Sequence, residues 1–209
     1  MQVTKLSGAA LLFEGERARI LVDPAEGCAI ERIDAVLISS ASPLHLSKLA
    51  LLSVLEENPG AAVLAARSAY AALSDLAGEY NIIPLSAHSV WSEKNITIYA
   101  VRAETVDREA VGFIIDDGNK TYYISGDTLY NYDVLDDVLE LVEDGVDYAF
   151  LPINGRGGAM NAKDAADFAY ELGAEHAIPL YYGAHPGDPD DFDFEEGKIV
   201  LLPNKAAEL

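Results

Sequence analysis

The chain has 209 residues, of which half are apolar, and it contains only one cysteine, Cys28. This length suits one domain over residues 1–209, built from two similar halves, with enough apolar residues for a substantial core. Thirty-five Asp and Glu against fourteen Lys and Arg give a formal net charge of −21. Because so acidic a surface repels phosphate backbones and anionic lipids, we expect neither nucleic acid nor membranes as partners.

The expected compartment follows from cysteine usage and from the first residues. One cysteine cannot form an intrachain disulfide, which fits a reducing environment, and Cys28 is expected to be a small buried residue. The apolar run at residues 9–13 is too short for a signal peptide, and no stretch approaches the ~20 apolar residues of a membrane-spanning helix. We therefore expect a soluble, cytoplasmic protein.

The first third of the chain predicts strands followed by a helix. Apolar runs predict four strands, at residues 3–6, 10–13, 19–22 and 35–39. Ser42 fits a helix N-cap, with Pro43 at the first helical position. The buried face of this helix is expected to consist of Leu46, Leu49, Ala50 and Val54.

Strands and helices continue through the rest of the chain. Further strands are predicted at residues 62–65, 81–85, 96–101, 111–116, 121–125, 147–151, 176–180 and 198–202. Helices are predicted at residues 68–76, between Thr128 and Gly145, and from the N-cap Asn161 to the C-terminal stop Gly173. Strands first, then β–α units, a β-rich centre and further β–α units are the pattern of two packed sheets with helices outside.

Five segments carry recognisable motifs in order along nearly the whole chain. They are the strand ending in Asp23-Pro24, the strand at 35–39 with the segment after it, residues 111–128 ending in Ser-Gly-Asp-Thr, residues 151–169, and residues 177–188. Together they resemble the metallo-β-lactamase superfamily, and in particular the branch containing L-ascorbate-6-phosphate lactonase and related metal-dependent hydrolases. The resemblance implies an α+β fold, a four-layer αββα sandwich, with the active site at one edge between the sheets.

The resemblance also implies a metal centre. The family binds one or two divalent ions and uses a metal-bound hydroxide, because the cation lowers the pKa of its bound water towards ~7. Its seven ligand positions hold Ser40, Ser42, Leu44, His45, Thr105, Asp127 and Tyr181 in this chain. Only His45 and Asp127 keep a metal-binding side chain, and these two are the candidate catalytic residues. We expect either no cofactor or one weakly bound zinc or manganese ion at His45 and Asp127.

Other residues could rebuild a metal site. The candidates are His185, four residues after Tyr181, and His88, His176 and Glu104. For each histidine, an ordinary surface or capping role is the favoured interpretation.

A metal-free alternative uses the serines. Ser40 or Ser42, with His45 as base and Asp127 nearby, contains the residue types of a nucleophile–base–orienter triad. The role of Ser42 as an N-cap already explains that residue, and the sequence has no recognisable nucleophile elbow.

The loop after the strand at 147–151 is the candidate substrate site. Asn154 and Arg156 are expected to face the cleft, where an arginine can bind a phosphate or carboxylate through two hydrogen bonds. The alternative is a structural loop in which the glycines supply tight turns and Arg156 pairs with a nearby acid. The resemblance also gives Asp23 a role in ordering the histidine segment.

These features lead to three hypotheses. The first is a lactonase-like hydrolase homologue that has lost dinuclear metal binding and has a binding or regulatory role. The second is an active mononuclear hydrolase of an anionic lactone or ester that uses His45 and Asp127. For both, the expected ligand is a small anionic molecule. The third is an interaction scaffold, which leaves a homo-oligomer open.

Overall fold

Two mixed β-sheets with helices form the protein in a computed structural model. The structure describes residues 1–28, 30–142, 145–182, 187–195 and 197–209. They divide into two units, residues 1–85 with 201–209 and residues 86–200. The predicted α+β class is confirmed, and a single domain over the whole chain stays a prediction.

The first unit contains a seven-stranded sheet. Its strands are β1 (Gln2–Lys5), β2 (Leu11–Glu14), β3 (Arg19–Val22), β4 (Ala35–Ile38), β5 (Ala62–Ala66), β6 (Ile82–Leu85) and β13 (Ala206–Glu208). Their order across the sheet is β13-β1-β2-β3-β4-β5-β6. Because β3 to β6 are parallel, their carboxyl ends lie at one edge, and the segments after β3 and β4 begin side by side.

The two helices of the first unit are α1 (Lys48–Glu57) and α2 (Arg67–Ala72). The predicted start of α1 at Ser42 and Pro43 is wrong, because the N-cap is Ser47, whose side chain accepts a hydrogen bond from the Ala50 amide. The predicted face is also partly wrong, since Leu49 is exposed. The buried side chains of α1 are Ala50, Leu51, Val54 and Leu55, which also have helical spacing.

The second unit contains a six-stranded sheet in the order β12-β11-β10-β9-β8-β7. Its strands are β7 (Val90–Glu93), β8 (Ile96–Arg102), β9 (Val111–Asp116), β10 (Thr121–Ile124), β11 (Tyr148–Pro152) and β12 (His176–Leu180). β9 is antiparallel to both β8 and β10, and β10 to β12 are parallel. The carboxyl ends of β8, β10, β11 and β12 therefore lie at one edge, the carboxyl edge of the second sheet.

Two amphipathic helices belong to the second unit, α3 (Tyr132–Leu139) and α4 (Ala162–Leu172). α4 packs against β11 and β12, and α3 packs against β8 and α4. The predicted caps of α4 are confirmed: the Asn161 side chain accepts a hydrogen bond from the Asp164 amide, and Gly173 has a left-handed φ of 70°. A short 3₁₀ helix covers Pro189–Asp191.

The end of the chain differs from the prediction. Lys198 forms only an isolated bridge with Ala177, so the strand predicted at 198–202 is wrong. The last strand is instead β13, which pairs with β1. Every helix in the described part of the chain is too short or too polar to cross a membrane.

Candidate functional site

A buried carboxylate–histidine pair lies after β3 and β4 in the first unit. Asp23 Oδ2 is 2.7 Å from His45 Nδ1, and the exposed fractions of the two residues are 1% and 0%. The same carboxylate accepts hydrogen bonds from the Ser39 amide at 2.8 Å and the Ser39 hydroxyl at 2.7 Å. Because a carboxylate only accepts, a neutral His45 ring carries its proton on Nδ1, which leaves Nε2 as the basic nitrogen.

Two buried residues with positive φ follow strand ends in the two units. Asp23 follows β3 with a φ of 46°, and Tyr181 follows β12 with a φ of 61° and an exposed fraction of 2%. This backbone region is uncommon for residues other than glycine, and it persists only where the surroundings hold it. Burial also raises the pKa of the adjacent Tyr182 phenol above its ordinary value.

The two candidate serines stabilise the turn that leads to His45. The Ser40 hydroxyl accepts a hydrogen bond from the Ser42 amide at 3.2 Å, and the Ser42 hydroxyl accepts one from the Leu44 amide at 3.3 Å. The carboxylate that orients His45 is Asp23, whereas the triad considered from the sequence gave that place to Asp127. Both serines thus have a structural role that needs no catalysis.

In the second unit, the candidate residues follow strands that end at the carboxyl edge of the second sheet. Thr105 comes after β8, Asp127 after β10, Arg156 after β11 and Tyr181 after β12. The Thr105 hydroxyl donates a hydrogen bond to the Gly157 carbonyl at 3.2 Å. The structure therefore brings Thr105 and the predicted substrate loop into direct contact.

The substrate loop exposes its arginine. The Asn154 side-chain oxygen lies 3.5 Å from the Arg156 amide, and Asn154 forms a backbone bridge with Asn161. The Arg156 side chain is exposed and forms no ion pair with the residues that the structure describes. The alternative in which Arg156 pairs with a nearby acid is therefore not observed within this part of the chain.

The other candidate histidines have local partners. His88 Nε2 lies 3.2 Å from Asp137 Oδ1, and the His176 ring stacks on Tyr148 with centroids 5.1 Å apart. Glu104 is exposed and contributes backbone hydrogen bonds. His185 lies outside the described residues.

Comparison with known proteins identifies the family. Residues 12–182 match the model of the β-lactamase superfamily domain. The chain belongs to the metallo-β-lactamase superfamily. A metal-dependent hydrolase of Rubrobacter xylanophilus is 33% identical over 122 residues, which are 55% of this chain and 45% of that protein. The match thus spans less than half the length of this relative.

Solved structures confirm the metallo-β-lactamase fold. Igni18, a metallo hydrolase from Ignicoccus hospitalis, has a TM-score of 0.82 at 20% identity, covering 99% of this chain and 97% of its own. A metal-dependent hydrolase from Parabacteroides distasonis has a TM-score of 0.76 at 23% identity, covering 95% and 91%. CmlA, a diiron β-hydroxylase from Streptomyces venezuelae, has a TM-score of 0.82 at 16% identity, covering 100% and 54%.

The residues that the sequence resemblance assigns to the metal-ligand positions do not fit a dinuclear metal centre. Three of them carry hydroxyls that hydrogen-bond to backbone groups of neighbouring turns, at Ser40, Ser42 and Thr105. A fourth, Leu44, has no donor atom. Neutral hydroxyls are also weak ligands compared with imidazole or carboxylate. Among the described residues, no three His, Cys, Asp or Glu side chains are grouped so that they could hold a metal ion.

Proposed function

We propose that this chain is a lactonase-like metallo-β-lactamase homologue that has lost the family's dinuclear metal centre and binds a small anion. The observation that carries the proposal is the use of the Ser40, Ser42 and Thr105 hydroxyls in backbone hydrogen bonds. If these positions had only lost their metal ligands, the new hydroxyls would not be expected to hydrogen-bond to the backbone of their own turns. Here the three side chains stabilise the turns that carry them, as expected of a site whose role has changed.

Arg156 supports the anion-binding part of the proposal. The chain has 35 acidic and 14 basic side chains, so carboxylates far outnumber the cations with which they could pair. The Arg156 guanidinium nevertheless pairs with none of the described residues and is exposed on a loop held at both ends. A planar guanidinium that is not engaged by a protein carboxylate can bind an oxyanion through two parallel hydrogen bonds. Asn154, two residues earlier, offers a side-chain amide donor to the same anion.

A second candidate function is the mononuclear hydrolase of an anionic lactone or ester. The Asp23–His45 contact of 2.7 Å favours it, because a carboxylate bonded to Nδ1 is the usual way in which proteins orient a metal-binding histidine. His45 and Asp127 would supply the two retained ligands. Two protein ligands are fewer than the three that catalytic zinc sites normally have.

The metal content of the purified protein separates the two candidates. The protein is purified without chelator, and zinc, manganese and iron are measured by plasma mass spectrometry. We expect well below one metal ion per chain and no change in the thermal midpoint with EDTA. One metal ion per chain that is lost in His45→Ala but retained in His88→Ala would contradict the proposal and establish the mononuclear site. His88 is the matched control, since its only described side-chain partner is Asp137.

The remaining expectations stay predictions. These are a cytoplasmic location, which was inferred from the single cysteine, and the absence of nucleic-acid and membrane partners, which was inferred from the net charge of −21. The homo-oligomer also stays open.

A further inference from the structure

Two exposed apolar side chains belong to loops at the carboxyl edge of the second sheet. Val106, in the loop after β8, has an exposed fraction of 81%, and Leu129, in the loop after β10, has one of 46%. A single exposed apolar residue needs no explanation. These two belong to loops that are hydrogen-bonded to each other, and both loops are also hydrogen-bonded to the loop that carries Arg156.

Thr128 and Glu104 connect the three loops. The Glu104 amide donates to the Thr128 hydroxyl at 2.9 Å, and the Leu129 amide donates to the Glu104 carbonyl at 2.8 Å. The Met160 amide, at the end of the substrate loop, donates to the Thr128 carbonyl at 2.8 Å. Thr128 is fully buried, and all three bonds form without a ligand. The loops are therefore fixed before any ligand arrives.

Thr105 brings the Val106 backbone against the substrate loop. Its hydroxyl donates to the Gly157 carbonyl, and a Cβ on Gly158 would lie only 2.5 Å from that hydroxyl oxygen and 3.1 Å from the Val106 nitrogen. Gly158 also has a φ of 89°, which a residue with a side chain rarely adopts. Only glycine allows this approach, which places the exposed Val106 directly after Thr105, the residue that holds the loop carrying Arg156.

We propose that this edge binds an amphipathic anion, meaning a phosphate or carboxylate group joined to an aliphatic chain. Arg156 binds the oxyanion, and Val106 and Leu129 contact the chain. The inference rests on the proposed anion-binding function and adds the class of ligand. Thr105 is a positioning residue, because it acts through the loop and not on the ligand.

The charge of the molecule favours this class over a small hydrophilic polyanion. A net charge of −21 repels anions in proportion to their charge, so a ligand with one anionic group approaches more easily than a ligand with several. Contacts of the aliphatic chain with Val106 and Leu129 then add affinity to that supplied by the exposed Arg156. Covering part of a valine and a leucine with an aliphatic chain is expected to tighten binding about tenfold, because apolar surface leaves water.

Calorimetric titration tests the proposal with four probes: inorganic phosphate, hexyl phosphate, hexanoate and hexanol. We expect one or both of the hexyl anions to bind about tenfold more tightly than inorganic phosphate, and hexanol to bind more weakly than either. Comparison of the two hexyl anions identifies the preferred head group. Val106→Ser should reduce the tighter binding of the hexyl anions, while Val90→Ser, at an exposed valine of the edge strand β7, should leave it unchanged. Unfolding midpoints of both variants verify that they are folded.

Two variants separate this inference from the function on which it rests. Arg156→Gln should weaken binding of the hexyl anions, whereas Arg32→Gln, at an exposed arginine of the first unit, should not. One outcome is that Arg156→Gln weakens the binding of every anion, while hexyl phosphate and hexanoate bind no tighter than inorganic phosphate. In that case the anion site stands and the amphipathic ligand is wrong. If Arg156→Gln changes nothing, or if hexanol binds as tightly as the hexyl anions, both are wrong.

Discussion

The Asp23 carboxylate holds three donors in a place that solvent does not reach. The amide and hydroxyl of Ser39 and the Nδ1 atom of His45 all lie within 2.8 Å of its oxygens. A buried donor that loses its acceptor still carries the free-energy cost of desolvation, with no hydrogen bond to offset it. A single substitution at Asp23 therefore affects all three donors. The pair thus ties the end of β3 to the end of β4 and to the turn before α1.

We expect Asp23→Asn to lower the free energy of unfolding by about 2–4 kcal/mol, because the amide cannot accept from all three donors. Asparagine tolerates the positive φ of this position, so the loss reports hydrogen bonding and not backbone strain. Urea unfolding monitored by circular dichroism measures it. Asp75→Asn removes an exposed carboxylate that pairs with Lys48 and should have little effect. Equal losses in the two variants would contradict the role of Asp23.

The sequence predicted which single residues matter near His45 but not how they are joined. Asp23 was expected to order the histidine segment, and it does so through a direct bond. For Ser39, the sequence pattern predicts only the last residue of a strand. Its contact with Asp23 depends on the parallel pairing of β3 and β4, which brings together residues far apart in the sequence. No local pattern reports such a contact.

At the scale of elements, the loops at the carboxyl edge of the second sheet depend on close backbone approach. Gly157 and Gly158 both have positive φ, but their surroundings differ. A Cβ on Gly157 would meet nothing within 4 Å, while a Cβ on Gly158 would overlap the Thr105 hydroxyl. The first glycine is thus needed for its conformation alone, and the second also for space.

This difference gives a matched pair of variants. Gly157→Ala should cost about 1 kcal/mol, the strain of a left-handed alanine. Gly158→Ala should cost about 2–4 kcal/mol, since it adds a steric overlap with Thr105 to the same strain. Thermal and urea unfolding measure both values. Indistinguishable losses would mean that the contact between Thr105 and the loop is not formed in solution.

Elements with strong local signals were predicted well, and those that need a distant partner were not. The caps Asn161 and Gly173 determine both ends of α4. The start of α1 was misplaced because Ser42 and Ser47 are both reasonable caps, and only the turn ending at His45 decides between them. β13 consists of two alanines and a glutamate, so its strand conformation comes from pairing with β1 and has no pattern of its own.

At the scale of the whole molecule, the acidic composition determines how stability depends on ionic strength. Like charges destabilise the folded chain, because folding brings them closer together than in the extended chain. A formal net charge of −21 on 209 residues makes this effect large at low ionic strength. It is screened when the Debye length falls from ~30 Å at 0.01 M salt to ~8 Å at 0.15 M.

We therefore expect the thermal midpoint to rise by about 2–4 °C between 0.01 and 0.15 M sodium chloride, equivalent to ~1 kcal/mol for a chain of this size. Differential scanning calorimetry measures the shift. A variant with Asp190→Asn and Asp191→Asn removes two exposed acids of the 3₁₀ helix. Its thermal midpoint at 0.01 M salt should be higher than that of the unmodified protein, and the rise of the midpoint with salt should be smaller. A midpoint that falls with salt would show that favourable ion pairs outweigh the repulsion.

The hydroxyl of Thr105 has a consequence for the history of the chain. It stands at the position that the sequence resemblance assigns to a metal-binding histidine, and it donates a hydrogen bond to the Gly157 carbonyl. An imidazole restored there would take away the short hydroxyl that Gly157 contacts and would crowd the glycine beside it. A histidine at this position would thus loosen the loop that carries Arg156, so the proposed loss of the metal centre is not reversed by this substitution alone.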